Sequence, residues 1–145
     1  MGSYLNPGSD LFEMALRSQI FVDKSGLIEK TNHCVRTLQR YMCVSRPRRF
    51  GKTLNMSMLQ YYFEDKRDQF TGEKIDNSYL FEGLNIKAEG EKYTKYMGKY
   101  PVINLSLKSA KQPTYKMAYE SLIDEIMKEY RRHNFILNSD KLLQS

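Results

Sequence analysis

The sequence predicts an α/β fold: a parallel sheet with helices packed on it in three layers. Three observations carry this. Residues 41–44, Tyr-Met-Cys-Val, form a short apolar run that ends in a basic loop and in Gly51-Lys52-Thr53. A second apolar run, YPVINLSL, occupies residues 100–107. Each run is followed by a segment whose apolar residues recur three and four apart. Short apolar runs bounded by turn residues read as buried strands, and strands alternating with helices read as a parallel sheet. Two strands are few for such a sheet, so the fold is expected to be incomplete over these 145 residues.

Residues 1–40 are expected to form an N-terminal helical cap. Asn6-Pro7-Gly8 reads as a turn. Asp10 followed by Glu13 fits a capping box that opens a helix to about Leu16. Ile20-Phe21-Val22 is a brief extended piece, and Asp23 is placed to cap a second helix containing Leu27 and Ile28.

The layout over residues 41–63 is strand, basic loop, Gly-Lys-Thr, helix, which is that of a P-loop, so the sandwich is expected to be P-loop NTPase-like. The residue types suit a polyphosphate. Amides at a helix start and the positive end of its dipole favour an anion. Gly51 lacks a Cβ, so its backbone can take φ > 0 and approach phosphate closely. Lys52 would place an ammonium on the β- and γ-phosphates, and Thr53 a hydroxyl on Mg²⁺. In G-x-x-x-x-G-K-[ST] the first glycine would fall where this chain has Arg46, and Pro47 removes one loop N–H. The competing reading is a surface Gly-Lys-Thr with its arginines in water.

Leu54, Met58 and Tyr62, with Leu59 and Phe63 alongside, make one apolar helix face, read as core and ending near Phe63. Residues 64–99 read as an irregular, charged insertion broken by Gly72, Gly83, Gly90 and Gly98, with a short helix or turn near Ser78 to Phe81. Within it Lys92, Tyr93, Lys95, Tyr96 and Lys99 interleave basic and aromatic groups; a solvated segment is preferred over a base-stacking surface. Residues 100–133 supply the second strand and a helix through Tyr115, Ala118, Tyr119, Leu122, Ile123, Ile126 and Tyr130. Leu122-Ile123-Asp124-Glu125 spells the end of a Walker B motif, but the helical period runs through it unbroken. Asp124 and Glu125 are therefore expected on a helix, away from the apolar stripe, with no catalytic role.

A net charge of +6 suits an anionic partner, nucleotide or nucleic acid. No apolar run approaches the roughly 20 residues that span a bilayer. Cys34 and Cys43 have no metal-type spacing and read as reduced, with Cys43 a small buried hydrophobe in the first strand, which makes the chain read as cytoplasmic. His33 and His133, without clustered acids or cysteines, read as surface histidines.

Ser45-Arg46-Pro47-Arg48-Arg49-Phe50-Gly51-Lys52-Thr53-Leu54 resembles the variant Walker A loop of the bacterial AAA-ATPase-like family, whose members often carry a PD-(D/E)XK nuclease-like domain after the ATPase. Tyr4-Leu5-Asn6-Pro7-Gly8, the stretch FVDKSGLI at 21–28, Leu80-Phe81-Glu82-Gly83-Leu84 and Tyr100-Pro101-Val102-Ile103-Asn104-Leu105 extend the resemblance from residue 4 to about 130. It implies ATP binding and makes Arg46 a family habit. It also implies that Phe21 to Lys24 line the adenine side; packing of that segment on the core is the equal alternative. The Walker B strand, the remaining ATPase elements and any nuclease domain would lie beyond position 145, so the chain is expected to be the N-terminal part of a larger protein.

The expected function is therefore ATP binding with poor hydrolysis. Arg48, Arg49, Phe50, Gly51, Lys52, Thr53 and Leu54 contact the nucleotide, Lys52 is the catalytic residue and Thr53 the Mg²⁺ ligand. Arg48 and Arg49 add charge on the phosphates or reach a neighbouring subunit. The alternative is a nucleic-acid-binding module that grips backbone phosphate with the Arg-rich loop, insensitive to ATP; a fold remnant that binds neither is a third. Uncovered sheet edges would favour self-association, pairing of the two strands with each other, or disorder within residues 64–99.

Overall fold

The computed structural model describes residues 7–45, 47 and 51–139, which belong to two units: one from Met1–Glu64 and Asp76–Tyr100, the other from Asp65–Ile75 and Pro101–Ser145.

The first unit is helical. Helix α1 spans Pro7–Leu16, α2 Gly26–Cys34 and α3 Lys52–Phe63; 3₁₀ turns at Ser78–Phe81 and Asn85–Glu89 lead into the short α4, Glu91–Thr94. Helix α1 starts at Pro7, three residues before the expected cap at Asp10, because proline's fixed φ and missing N–H suit a first helical position. In α3 the apolar spacing works as expected: Met58 and Tyr62 are buried, and Leu54, Leu59 and Phe63 pack against the core. Tyr62 is its centre, edge-on to Phe63 at 4.8 Å and to Phe81 at 5.7 Å. Phe12 brings α1 onto Tyr61 and Phe81. Each fully buried large side chain of this kind contributes about 1.5–3 kcal/mol.

Residues 76–100, which the sequence shows only as charged and glycine-broken, supply Leu80, Phe81, Leu84, Ile86 and Tyr93 to that core. Tyr93 is buried and Tyr96 half-buried with the Lys95 ammonium over its ring, so these rings serve packing rather than a solvated or base-stacking segment. The same stretch closes α3. The Gly98 amide donates to the Tyr62 carbonyl at 2.8 Å, and the Lys99 and Tyr100 amides to that of Phe63, which satisfies carbonyls a helix end leaves open.

The expected parallel-sheet sandwich is not what the described residues form: among them there is no sheet, only the isolated bridge pairs Glu64–Tyr100, parallel, and Arg67–Lys74, antiparallel. A strand is held by a ladder to a neighbour, and residues 41–44 have none; Tyr41 is 81 % exposed and Cys43 lies on the surface, not in a core. Residues 100–107 fare likewise. Beyond the bridge at Tyr100 the main chain bonds to side chains instead: the Asn104 amide donates to Glu129 at 3.1 Å, and His133 Nε2 donates to the Val102 carbonyl at 2.8 Å. His133 is thus a structural histidine, not a plain surface one. Among the described residues there is thus no sheet edge, and the two expected strands do not pair with each other.

In the second unit, a tight turn over residues 65–75 is closed by the Asp68 carboxylate, which accepts the Phe70 and Thr71 amides at 2.8 Å each. A 3₁₀ turn at Leu107–Ala110 precedes α5, Tyr115–Arg132, capped by the Thr114 hydroxyl accepting the Met117 amide, and α6, Asn134–Leu137. Leu122 to Glu125 lie inside α5, as the helical period predicts. No residue of the hydrophobic core lies here: Ile103, Leu107, Tyr119, Ile123 and Met127 are exposed, and the one buried residue described is Glu129.

Candidate functional site at the start of helix α3

Gly51 is the N-cap of α3 and sits in the left-handed region, φ 74° and ψ 23°. Only glycine takes that conformation without steric cost, which is why the chain turns into the helix at this residue. The Gly51 carbonyl already accepts the Asn55 amide at 2.9 Å, so the helix is formed from its first turn. The N-cap glycine has no side chain with which to cap this end, and no acid occupies the first turn. The amides that open α3 therefore have no side-chain acceptor at the N-cap and carry the positive end of the helix dipole.

Lys52 and Thr53, the first two helical residues, are exposed, and Leu54 is half-buried against the core. The leucine anchors the turn while the lysine and threonine stay on its outside. Arg46, Arg48, Arg49 and Phe50 lie outside the described residues.

The structure adds a residue that the motif does not name. The Lys24 ammonium lies 3.8 Å from the point a Cβ on Gly51 would occupy. The segment carrying it is tied down on both sides. Phe21 packs against the core, and the Asp23 carboxylate accepts the Ser25 amide at 2.8 Å and the Asn85 amide at 2.6 Å. Asp23 thus stands two residues ahead of the N-cap Ser25 of α2, and its bond to Asn85 is long-range. The packing reading of 21–24 holds for Phe21 and Asp23, while Lys24 is directed to the glycine turn. Nothing in spacing reveals this, because Lys24 and Gly51 meet only through the tertiary fold.

What the site can do chemically is hold an anion: a helix start whose N-cap has no side chain, a glycine with no Cβ in the way, and ammonium groups at Lys24 and Lys52. The family model described as AAA-ATPase_like, Predicted AAA-ATPase, matches residues 9–144. The chain belongs to this AAA-ATPase-like family. No curated protein and no solved structure matches it. In this AAA-ATPase-like chain the match takes in both units, so the helical packing around Tyr62 and the glycine turn lie within the family's own domain.

Asp124 and Glu125 are on α5, Asp124 exposed and Glu125 bonded to Lys128 at 2.9 Å. Among the described residues no group of three or more His, Cys, Asp or Glu is arranged to hold a metal ion, and no helix is long and apolar enough to cross a membrane.

Proposed function

We propose that the turn from Gly51 into α3 binds the phosphates of ATP. The observation that supports this best is the left-handed Gly51, an N-cap without a side chain, opening the helix with Lys52 and Thr53 next in line and Lys24 beside it. The amides of the first turn donate hydrogen bonds to the phosphate oxygens, and Lys52 neutralises the β- and γ-phosphates. Lys24 adds a second ammonium from the N-terminal segment. Arg48 and Arg49, just ahead of the turn in sequence, add further charge.

The residues also fit Mg²⁺. Thr53 presents one hydroxyl oxygen, and magnesium bound with a nucleotide takes most of its remaining ligands from phosphate and water. Bound there, the ion would screen the charge of the phosphate tail; the chain's own part is to position that tail through Lys52 and the backbone. The proposed activity is nucleotide binding, with hydrolysis slow at best, because neither Asp124 nor Glu125 in α5 is offered as the water-activating carboxylate.

The deciding measurement is a titration with a fluorescent ATP analogue, with and without Mg²⁺. Lys52→Ala should abolish binding, and because alanine is a strong helix former at an exposed first-turn site, it should leave α3 intact. Equal binding by the variant would refute the assignment. Binding to nucleic acid that ignores ATP would point to the loop's arginines instead.

A further inference from the structure

Helix α5 turns much of its apolar side to solvent. The residues that its own unit shelters include the buried Glu129 and the half-buried Ser121 and Glu125. Along the open side lie Tyr119, Ile123, Ile126 and Tyr130, at 54 %, 41 %, 43 % and 56 % exposure. A continuous row of apolar side chains is unfavourable to leave in water, and such a row marks a contact surface.

The order of these residues selects what covers them. A contact between two copies of one chain about a two-fold axis must be complementary to itself. This row is so: from either end it reads Tyr, three residues, Ile, two residues, Ile, three residues, Tyr. The exposures run in the same order from either end. An axis between Asp124 and Glu125 carries Tyr119 of one helix onto Tyr130 of the other, and Ile123 onto Ile126, over about 17 Å of antiparallel helix. A partner of any other kind places no such demand on the row.

The charges agree with this axis. Glu120 and Arg131 are both exposed, and at eleven residues apart they share one flank of the row. The axis brings Glu120 to the level of residue 129 in the second copy, about 3 Å along the helix from Arg131 and within reach of its side chain. Each dimer gains that pair twice. Tyr115 stacks on Tyr119 at 6.1 Å and lengthens the row by one turn. It falls at the level of residue 134 in the second copy, where Ile103, Leu105 and Leu137 line an apolar groove of about 370 Å³.

We infer that the open face of α5 is the interface of a homodimer, in which two α5 helices pack antiparallel about an axis between Asp124 and Glu125. It needs no sheet edge and no nucleotide. Two helix faces of this length make a small interface, so the dimer depends on concentration.

The test is sedimentation velocity of the whole chain over roughly a hundredfold range of concentration. The parent should pass from monomer to dimer. Ile123→Lys together with Ile126→Lys should keep it monomeric throughout, with the helical circular dichroism unchanged because both sites are exposed. Glu120→Arg should weaken the dimer roughly three- to tenfold, because like charges then meet twice, and Arg131→Glu should do the same. Both charge changes in one chain should restore the parent affinity, and a mixture of the two single variants should dimerise more tightly than either alone. These surface changes decide the matter even where the isoleucine variant loses helix. A parent that stays monomeric, a dimer that survives both isoleucine changes, or a double charge reversal no tighter than the single variants would each overturn the inference.

Discussion

The Asn85 amide donates to the Asp23 carboxylate at 2.6 Å, a bond that joins residues 62 positions apart. Partial burial works against the charge on Asp23, but bonds from the Asn85 amide and from the Ser25 hydroxyl and amide outweigh it, and the carboxyl is held below its ordinary range. The folded state therefore binds that proton less readily than the unfolded chain. The stability this confers is present above about pH 4 and is lost as the pH falls through the folded value. Asp23→Ala should cost about 1 kcal/mol in urea unfolding at pH 7. Against the parent, the difference should shrink on acidification; a difference that stays constant down to pH 2 would contradict the bond's role.

Two tyrosines in contact should respond oppositely to the same change. The Tyr62 hydroxyl donates to the Tyr93 carbonyl and accepts from Asn32, while the buried Tyr93 hydroxyl has no hydrogen-bond partner among the described residues. Tyr62→Phe should destabilise by about 1–3 kcal/mol, and Tyr93→Phe should be neutral or mildly stabilising. Burial raises the phenol pKa of both, with the nearby Glu82 charge adding at Tyr93. A raised phenol pKa means stability that is full below about pH 10 and lost as the pH climbs through the folded values. Alkaline unfolding should therefore be less steep in either phenylalanine variant, read by circular dichroism from pH 8 to 12. Equal steepness in all three proteins would rule out these phenols as its source.

Lys24 beside Gly51 separates a nucleotide role from a structural one. If its ammonium lies on bound phosphate, Lys24→Ala should weaken the fluorescent ATP analogue several-fold, less than Lys52→Ala, and lower the urea midpoint only by what one exposed charged contact contributes. Gly51→Ala should do both: its φ of 74° costs a side chain about 1–2 kcal/mol, and the turn that forms the cradle shifts with it. An alanine at Gly51 that binds and unfolds like the parent would mean the left-handed turn is dispensable.

The elements legible in the sequence are those whose signals are local. Helix α3 keeps the four-residue spacing of Leu54, Met58 and Tyr62, and α5 keeps its period straight through the Walker B look-alike. Gly51 at a left-handed helix start is also local, since the motif fixes which residue must lack a Cβ. The strands were not legible, because an apolar run becomes a strand only when a neighbour takes its hydrogen bonds, and residues 41–44 and 100–107 meet no such neighbour among the described residues. The contribution of Leu80, Phe81, Leu84, Ile86 and Tyr93 was hidden for a related reason. They sit in or beside 3₁₀ turns and one helical turn, too short to show a period, and are collected only by tertiary packing into the core. Lys24 and Asn32 acquire their roles the same way, from partners 27 and 30 positions off.

In the second unit, the carboxylate of Glu129 holds the extended chain to α5. It accepts the Asn104 amide at 3.1 Å and pairs with Arg132 at 2.8 Å, and it is the buried group in a unit that contributes nothing to the hydrophobic core. With so little apolar burial nearby, this polar contact should dominate the local stability of residues 102–105. Glu129→Ala should speed hydrogen exchange at the Asn104 amide by about tenfold or more, the scale of one lost bond to a charged acceptor. Glu129→Gln keeps an acceptor oxygen in the same place and should retain most of the protection. Exchange as slow in the alanine variant as in the parent would show that something other than Glu129 holds this segment to the helix.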